Sequence, residues 1–171
     1  MESLKINKVQ IRNLQIEDYT QLSQSFKRVY SDGSDVFWTH KQIEKLIKIF
    51  PEGQIVTVVD EKIVGCALSI ILDYDKVKND HTYAQVTGKE TFDTHNPDGN
   101  ILYGIEVFIH PDYRGLRLAR RMYEYRKELC ETLNLKAIMF GGRIPNYHKY
   151  ADKIRPKEYI DKVRQKEIYD P

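Results

Sequence analysis

The chain has 171 residues, 30% of them charged, and a formal net charge of +2. That length suits one domain with a substantial core, and the near balance of charges gives no global attraction to nucleic acid. No apolar run is long enough to cross a bilayer, "MESLKINKVQ" lacks the apolar stretch of a signal peptide, and Cys66 and Cys130 lie in apolar surroundings, so a cytoplasmic protein with two buried free thiols is expected.

In chain order, Lys8 to Leu14 alternates enough for a strand. "QIEDYTQLSQSFKRVY" then reads as a helix with Ile16, Tyr19, Leu22, Phe26 and Val29 on one side and Glu17 and Asp18 at its start, where acids suit the helix dipole. Thr39 can cap a second helix running through Ile43, Leu46, Ile47 and Phe50 to a stop at Pro51. "QIVTVVD" and "IVGCALSIILDY" are two strands flanking Glu61 and Lys62, a break suited to a hairpin. The segment 74–100 is polar, with a short helix at "HTYAQVTG"; a loop this long binds something or moves. Its His81 and His95 lack the paired spacing and companion cysteines of a zinc site, so they read as surface histidines and no metal is expected.

Ile101 to Ile109 is a nearly continuous apolar run, as in a strand buried on both faces, and Pro111 stops it. A helix comes next, with Ala119, Met122, Tyr123, Arg126, Leu129, Cys130 and Leu133 at helical spacing. Its start carries Arg114, Arg117, Arg120 and Arg121. A helix start is partly positive, and each misplaced exposed cation costs roughly 0.3–1 kcal/mol, so four of them point to a bound anion. Strand, turn, Gly115 and cationic helix start together form a phosphate-holding arrangement. "KAIMFGG" reads as a further strand and "RIPNYHKYADKI" as a turn into a short helix. "RPKEYIDKVRQKEIYDP" reads as an amphipathic helix through Tyr159, Ile160 and Val163, with Pro156 in its first turn.

The order of these elements resembles the GNAT superfamily of acyl-CoA-dependent N-acyltransferases over Val9 to Tyr150. The family's pyrophosphate fingerprint is arginine or glutamine, two free positions, glycine, one free position, then glycine or alanine. It falls on Arg114, Gly115, Leu116, Arg117, Leu118 and Ala119, with Arg117 in place of the central glycine. The resemblance implies an α/β GNAT fold, a mixed central sheet flanked by helices. It also implies acetyl-CoA as co-substrate, held through this loop and Arg120, with the pantetheine arm along the backbone of Val107, Phe108 and Ile109. "THNPDGNILYGIEVFIHPDYRGLRLARRMYE" and "GGRIPNYHKYA" are similar, more narrowly, to the acetyltransferase-like domain at the amino end of bacterial carbon-nitrogen hydrolase (nitrilase superfamily) fusion proteins. That implies one GNAT-like domain over 1–171 without the last strands of the family sheet. Residues 152–171 would lead to a fused hydrolase, and Ala137 to Phe140 would be an open edge able to pair with a second copy.

Acyl transfer to an amine needs a base for the amine proton, donors for the thioester oxygen and an acid for the thiolate. Glu106, an acid in an apolar strand directly before the loop, is the candidate base; a structural ion pair with a nearby arginine is the alternative. By the family pattern Tyr147 and Tyr150 are candidate acids, with local packing as the alternative. Cys66, in an apolar strand with no adjacent histidine, is set aside as a nucleophile. The expected function is acetyl transfer from acetyl-CoA to a small-molecule or peptide amine. The alternative is a non-catalytic acyl-CoA-binding or docking module on a hydrolase.

Overall fold

The computed structural model describes residues 6–30 and 37–170; the start of the segment read for a signal peptide, and Pro171, lie outside that range. The chain forms two compact units, 1–140 and 141–171.

The first unit is built on one five-stranded sheet in which spatial order follows chain order: β1 (Val9–Asn13), β2 (Ile55–Val59), β3 (Lys62–Leu72), β4 (Ile101–Ile109) and β5 (Ala137–Phe140). Neighbours pair antiparallel except β4 with β5, which are parallel. A parallel pair needs a crossover, and α5 (Leu118–Thr132) supplies it. The β2–β3 turn sits at Asp60 and Glu61, both at positive φ (44° and 67°), as a tight hairpin requires. That is one residue earlier than the Glu61–Lys62 break read from the sequence. Asp60 also gains from the position, because its carboxylate accepts the Asn7 and Lys8 amides.

Helices cover both faces of the sheet. On one, α1 (Tyr19–Val29) and α2 (His40–Ile49) bring Leu22, Phe26, Ile43 and Leu46 into a core with Leu68, Ile70, Tyr103 and Phe108. On the other, Met122 of α5 clusters with Ile55 and Ala67, and Cys130 with Ile71 and Leu102. Each such side chain contributes roughly 1.5–3 kcal/mol by leaving water, and burial from both sides explains the unbroken apolar runs of β3 and β4. Both cysteines are free and buried. Thr39 starts α2 as expected: its hydroxyl accepts the Gln42 amide (3.3 Å) while the Gln42 side chain accepts the Thr39 amide (2.8 Å).

Segment 74–100 is packed onto the sheet. It carries α3 (Tyr74–Val77) and α4 (Tyr83–Val86), and it buries Val77, Val86 and Phe92 in the main core. Its histidines are half-buried and bonded, not the surface residues the sequence suggested. His95 stacks on Phe50 and its Nδ1 accepts the Ile71 amide (3.0 Å). His81 Nε2 lies 3.0 Å from the Tyr103 hydroxyl.

Two features set the C-terminal half of β4 apart. Its register against β3 shifts between Gly104, opposite Ser69, and Glu106, opposite Leu68, which leaves Ile105 as a β-bulge. Its pairing with β5 ends at Gly104, opposite Phe140, so among the described residues β4 has a strand on one side only from Ile105 onward.

In the second unit, α6 (Pro156–Arg164) starts at a proline, whose missing N–H is not needed there. Tyr159 is buried against the rings of Tyr147 and Tyr150, with centroids 5.4 and 5.3 Å away. Burial, and then the Asp170 carboxylate to which it donates (2.9 Å), push the Tyr159 phenol up to about 12.

Candidate functional site

The site grows from the unpaired half of β4 and the turn beyond it. The His110 amide donates to Val64 and closes the ladder; Pro111–Tyr113 then form a single 3-10 turn. Gly115 at φ 83° and Arg117 at φ 57°, ψ 23° swing the chain into α5. Arg117 thus keeps the left-handed conformation in which glycine is at ease.

Arg117 stands at the N-cap of α5 and its side chain makes no capping bond, so the N-cap residue gives the first-turn amides no side-chain acceptor. These amides and the helix dipole form one end of a cavity of about 440 Å³. Of the residues expected to hold the cofactor, Val107, Phe108, Ile109, Arg114, Gly115, Arg117, Leu118 and Ala119 line it. Tyr113, which sequence reasoning passed over, joins them. Leu116 is exposed outside the lining, and Arg120 is held by Glu124 one helical turn on (2.9 Å).

Where β5 no longer reaches, side chains occupy the β4 peptide groups. The Tyr83 hydroxyl donates to the Ile105 carbonyl (2.9 Å), the Val107 amide donates to Glu106 Oε1 (3.1 Å), and Arg114 Nε donates to the Ile109 carbonyl (3.4 Å). A strand edge satisfied by movable side chains can exchange them for an extended ligand, which is how a peptide-like arm adds to a sheet.

Glu106 also accepts from Tyr30 (3.3 Å). Burial first, and then the Glu106 carboxylate, raise Tyr83 well above the usual phenol range, so it remains a hydrogen-bond donor. The same two causes in the same order raise the Cys66 thiol, which keeps it protonated and a poor nucleophile. Tyr30, Tyr83 and the His81–Tyr103 pair were not singled out from sequence as site residues. A signal for Tyr83 existed, since Thr82 and Gln85 form a capping box that marks α4 inside the polar segment. Tyr147 and Tyr150 belong to the second unit, where the Tyr147 hydroxyl donates to the Ile154 carbonyl (2.9 Å).

Among the described residues no helix is long and apolar enough to cross a membrane.

Residues 10–151 match the profile of the Acetyltransferase (GNAT) family. The "Probable hydrolase YhcX" of Bacillus subtilis is 38% identical over 164 residues, which is 96% of this chain and 32% of that protein. The "Uncharacterized N-acetyltransferase YkwB" of the same organism is 31% identical over 137 residues, 80% of this chain and 61% of its own length. This chain therefore spans about a third of the first relative and under two thirds of the second. Among solved structures, the loading GNATL domain of CurA from Lyngbya majuscula superposes with a TM-score of 0.74 at 24% identity, covering 90% of this chain and 74% of that one; at that identity it shows the fold. With five strands in a mixed sheet, helices on both faces and the family profile over most of its length, the chain belongs to the acetyltransferase (GNAT) family.

Proposed function

We propose that this domain transfers an acyl group, with acetyl as the family's default, from an acyl-CoA to a primary amine by direct attack. The observation that carries the reading is the uncapped, arginine-flanked start of α5 at one end of a cavity whose wall is the unpaired edge of β4. Those residues suit the cofactor: diphosphate at the helix start, an amide-bearing arm along the strand.

Bound acyl-CoA supplies a thioester carbon that an amine can attack. Arg114 and Arg117, with the amides from Gly115 to Ala119, hold the phosphates. The backbone of Val107, Phe108 and Ile109 orients the arm, and Leu116 and Arg120 flank the loop. Glu106 takes the proton from the attacking nitrogen. As the C–N bond forms, the C–S bond breaks with its electrons on sulfur, and Tyr147 or Tyr150 returns a proton there. Residues 1–171 act in this scheme as one functional domain, with the acceptor entering near 74–100. The hydrolase name and greater length of YhcX support a fused carbon-nitrogen hydrolase as partner, reached through 152–171.

Calorimetric titration with acetyl-CoA tests this function. Micromolar binding is expected in the wild type and in Glu106→Gln, and a loss of binding in Arg114→Glu. In an amine screen Glu106→Gln is expected to turn over roughly 10² to 10⁴ times more slowly. Undiminished binding in Arg114→Glu would remove the phosphates from this helix start, and full turnover in Glu106→Gln would end the base assignment.

A further inference from the structure

The residues α5 buries at four-residue spacing are Leu118, Met122, Arg126 and Cys130. Three of them are the apolar groups such a stripe requires. Leu118 clusters with Val64 beside Ile109, Met122 with Ala67 beside Val107, and Cys130 with Leu102. The remaining one is a guanidinium with 2% of the residue exposed. Among the described residues none of its Nε, Nη1 and Nη2 atoms has a hydrogen-bond partner. Its neighbours are the face of the Tyr123 ring, 5.3 Å from the centroid, and Gly104, where an added Cβ would collide with Nη2. Glycine at 104 is therefore what makes room for the guanidinium against β4.

This arrangement is unfavourable by itself. Removing a cation from water is costly, and a desolvated contact with an aromatic face offsets only part of that cost. Burial lowers the Arg126 pKa, yet an arginine has no accessible neutral form in which to escape the cost. A leucine would fill the position more cheaply, so the charge needs a counter-ion that the described residues do not supply.

The position of Arg126 indicates which one. Gly104 is the last β4 residue paired with β5, and the cavity wall at Val107 begins three residues farther along the same strand. Along α5, Arg126 lies eight residues, about 12 Å, beyond the cavity residue Leu118. An arm that leaves its phosphates at the helix start and follows the unpaired edge of β4 delivers its far end beside Gly104. We propose that Arg126 receives a carboxylate there, so that the acyl group this domain prefers is a carboxyacyl group, the half-thioester of a dicarboxylic acid, and not plain acetyl. The planar fork of the guanidinium suits a carboxylate's two oxygens, while the phosphates are taken at the opposite end by Arg114 and Arg117. This rests on the acyl-CoA reading above, which fixes the direction of the arm.

The test uses thioethers that cannot transfer their substituent: S-carboxyalkyl-coenzyme A with one to three methylenes, each beside its neutral carboxamide, and coenzyme A itself. Calorimetry on the full chain at pH 7.5 should find at least one acid binding tenfold or more tightly than its amide. In Arg126→Met, of similar length and uncharged, that ratio should fall to about one while coenzyme A binds as before. Equal affinity for acid and amide throughout the series, with coenzyme A binding normally, overturns this proposal alone. A preference that survives in Arg126→Met also overturns it. Failure of coenzyme A itself to bind overturns the acyl-CoA reading and this proposal with it. The acid and amide comparison in the wild type decides the matter even where the variant does not fold.

Discussion

Arg117 holds φ 57° and ψ 23°, a conformation that costs an ordinary L-residue roughly 1–2 kcal/mol and glycine almost none. The fingerprint position therefore keeps its backbone shape while exchanging a small residue for a charged one that lines the cavity. Arg117→Gly separates the two contributions. Relief of strain, offset by glycine's greater freedom in the unfolded chain, should leave stability equal or higher by up to about 1 kcal/mol in urea unfolding. Acetyl-CoA affinity should fall several-fold by calorimetry; unchanged or tighter binding would take the side chain away from the phosphates. At His95 the effect concerns pH. Burial lowers its pKa, and Nδ1 must stay unprotonated to accept the Ile71 amide. Because the folded value lies below the unfolded one near 6.5, the contribution is complete above about pH 6.5. It is lost as pH falls from there through the folded value. Urea midpoints should therefore drop between pH 7.5 and 5.5, and more steeply than in His95→Gln, whose amide oxygen can still accept from Ile71. Equal slopes in the two proteins would assign the acid sensitivity elsewhere. Neither effect was legible from sequence, because φ and a half-buried ring nitrogen depend on neighbours brought in by other elements.

At the level of elements, what could be read depended on whether the signal was local. The apolar run Ile101 to Ile109 became β4 with the same limits, and the Thr39 cap and the Pro51 stop bound α2. The bulge at Ile105 and the loss of β5 beyond Gly104 are properties of pairing, and no residue of β4 announces them. They are nonetheless what exposes the edge used by the proposed site. The end of β2 shows how closely such edges are controlled. Gln54 is fully buried, donates to the Phe50 and Ser69 carbonyls (2.8 Å each) and accepts the Ser69 amide (3.2 Å). Its side chain thus continues the ladder onto β3 where the strand has stopped. Gln54→Leu keeps the volume and strands the Ser69 amide and carbonyl, each costing roughly 1–3 kcal/mol when buried and unmet, whereas the Phe50 carbonyl keeps the Gly53 amide (3.2 Å). The expected loss is at least about 2 kcal/mol by urea unfolding. A loss under about 0.5 kcal/mol, typical of an exposed site, would mean that the backbone finds other partners.

For the whole molecule, charge and architecture pull in the same direction. With a net charge of +2, attraction for a polyanionic cofactor comes from the local arginine turn and not from the protein's overall field. Every cavity-lining residue, and Glu106, lies in the unit 1–140. That unit also holds the chain's single tryptophan, Trp38, which is 8% exposed with its ring 5.3 Å from Phe92. Trp38 fluorescence therefore reports the melting of the unit that would bind the ligand. A ligand bound only by the folded form, present at a hundred times its Kd, adds about 2.7 kcal/mol. For a protein of this size each kcal/mol raises the midpoint by about 2–4 °C, so acetyl-CoA should raise the Trp38 transition by roughly 5–10 °C. Arg114→Glu should abolish the rise at the same concentration while melting normally without ligand, since its side chain is exposed and its bond to the Ile109 carbonyl is long (3.4 Å). A wild-type midpoint unmoved at that excess would place any heat of binding outside the unit 1–140. It would leave the cavity on β4 and α5 without a ligand, and the acceptor chemistry would then have to be sought in the unit 141–171.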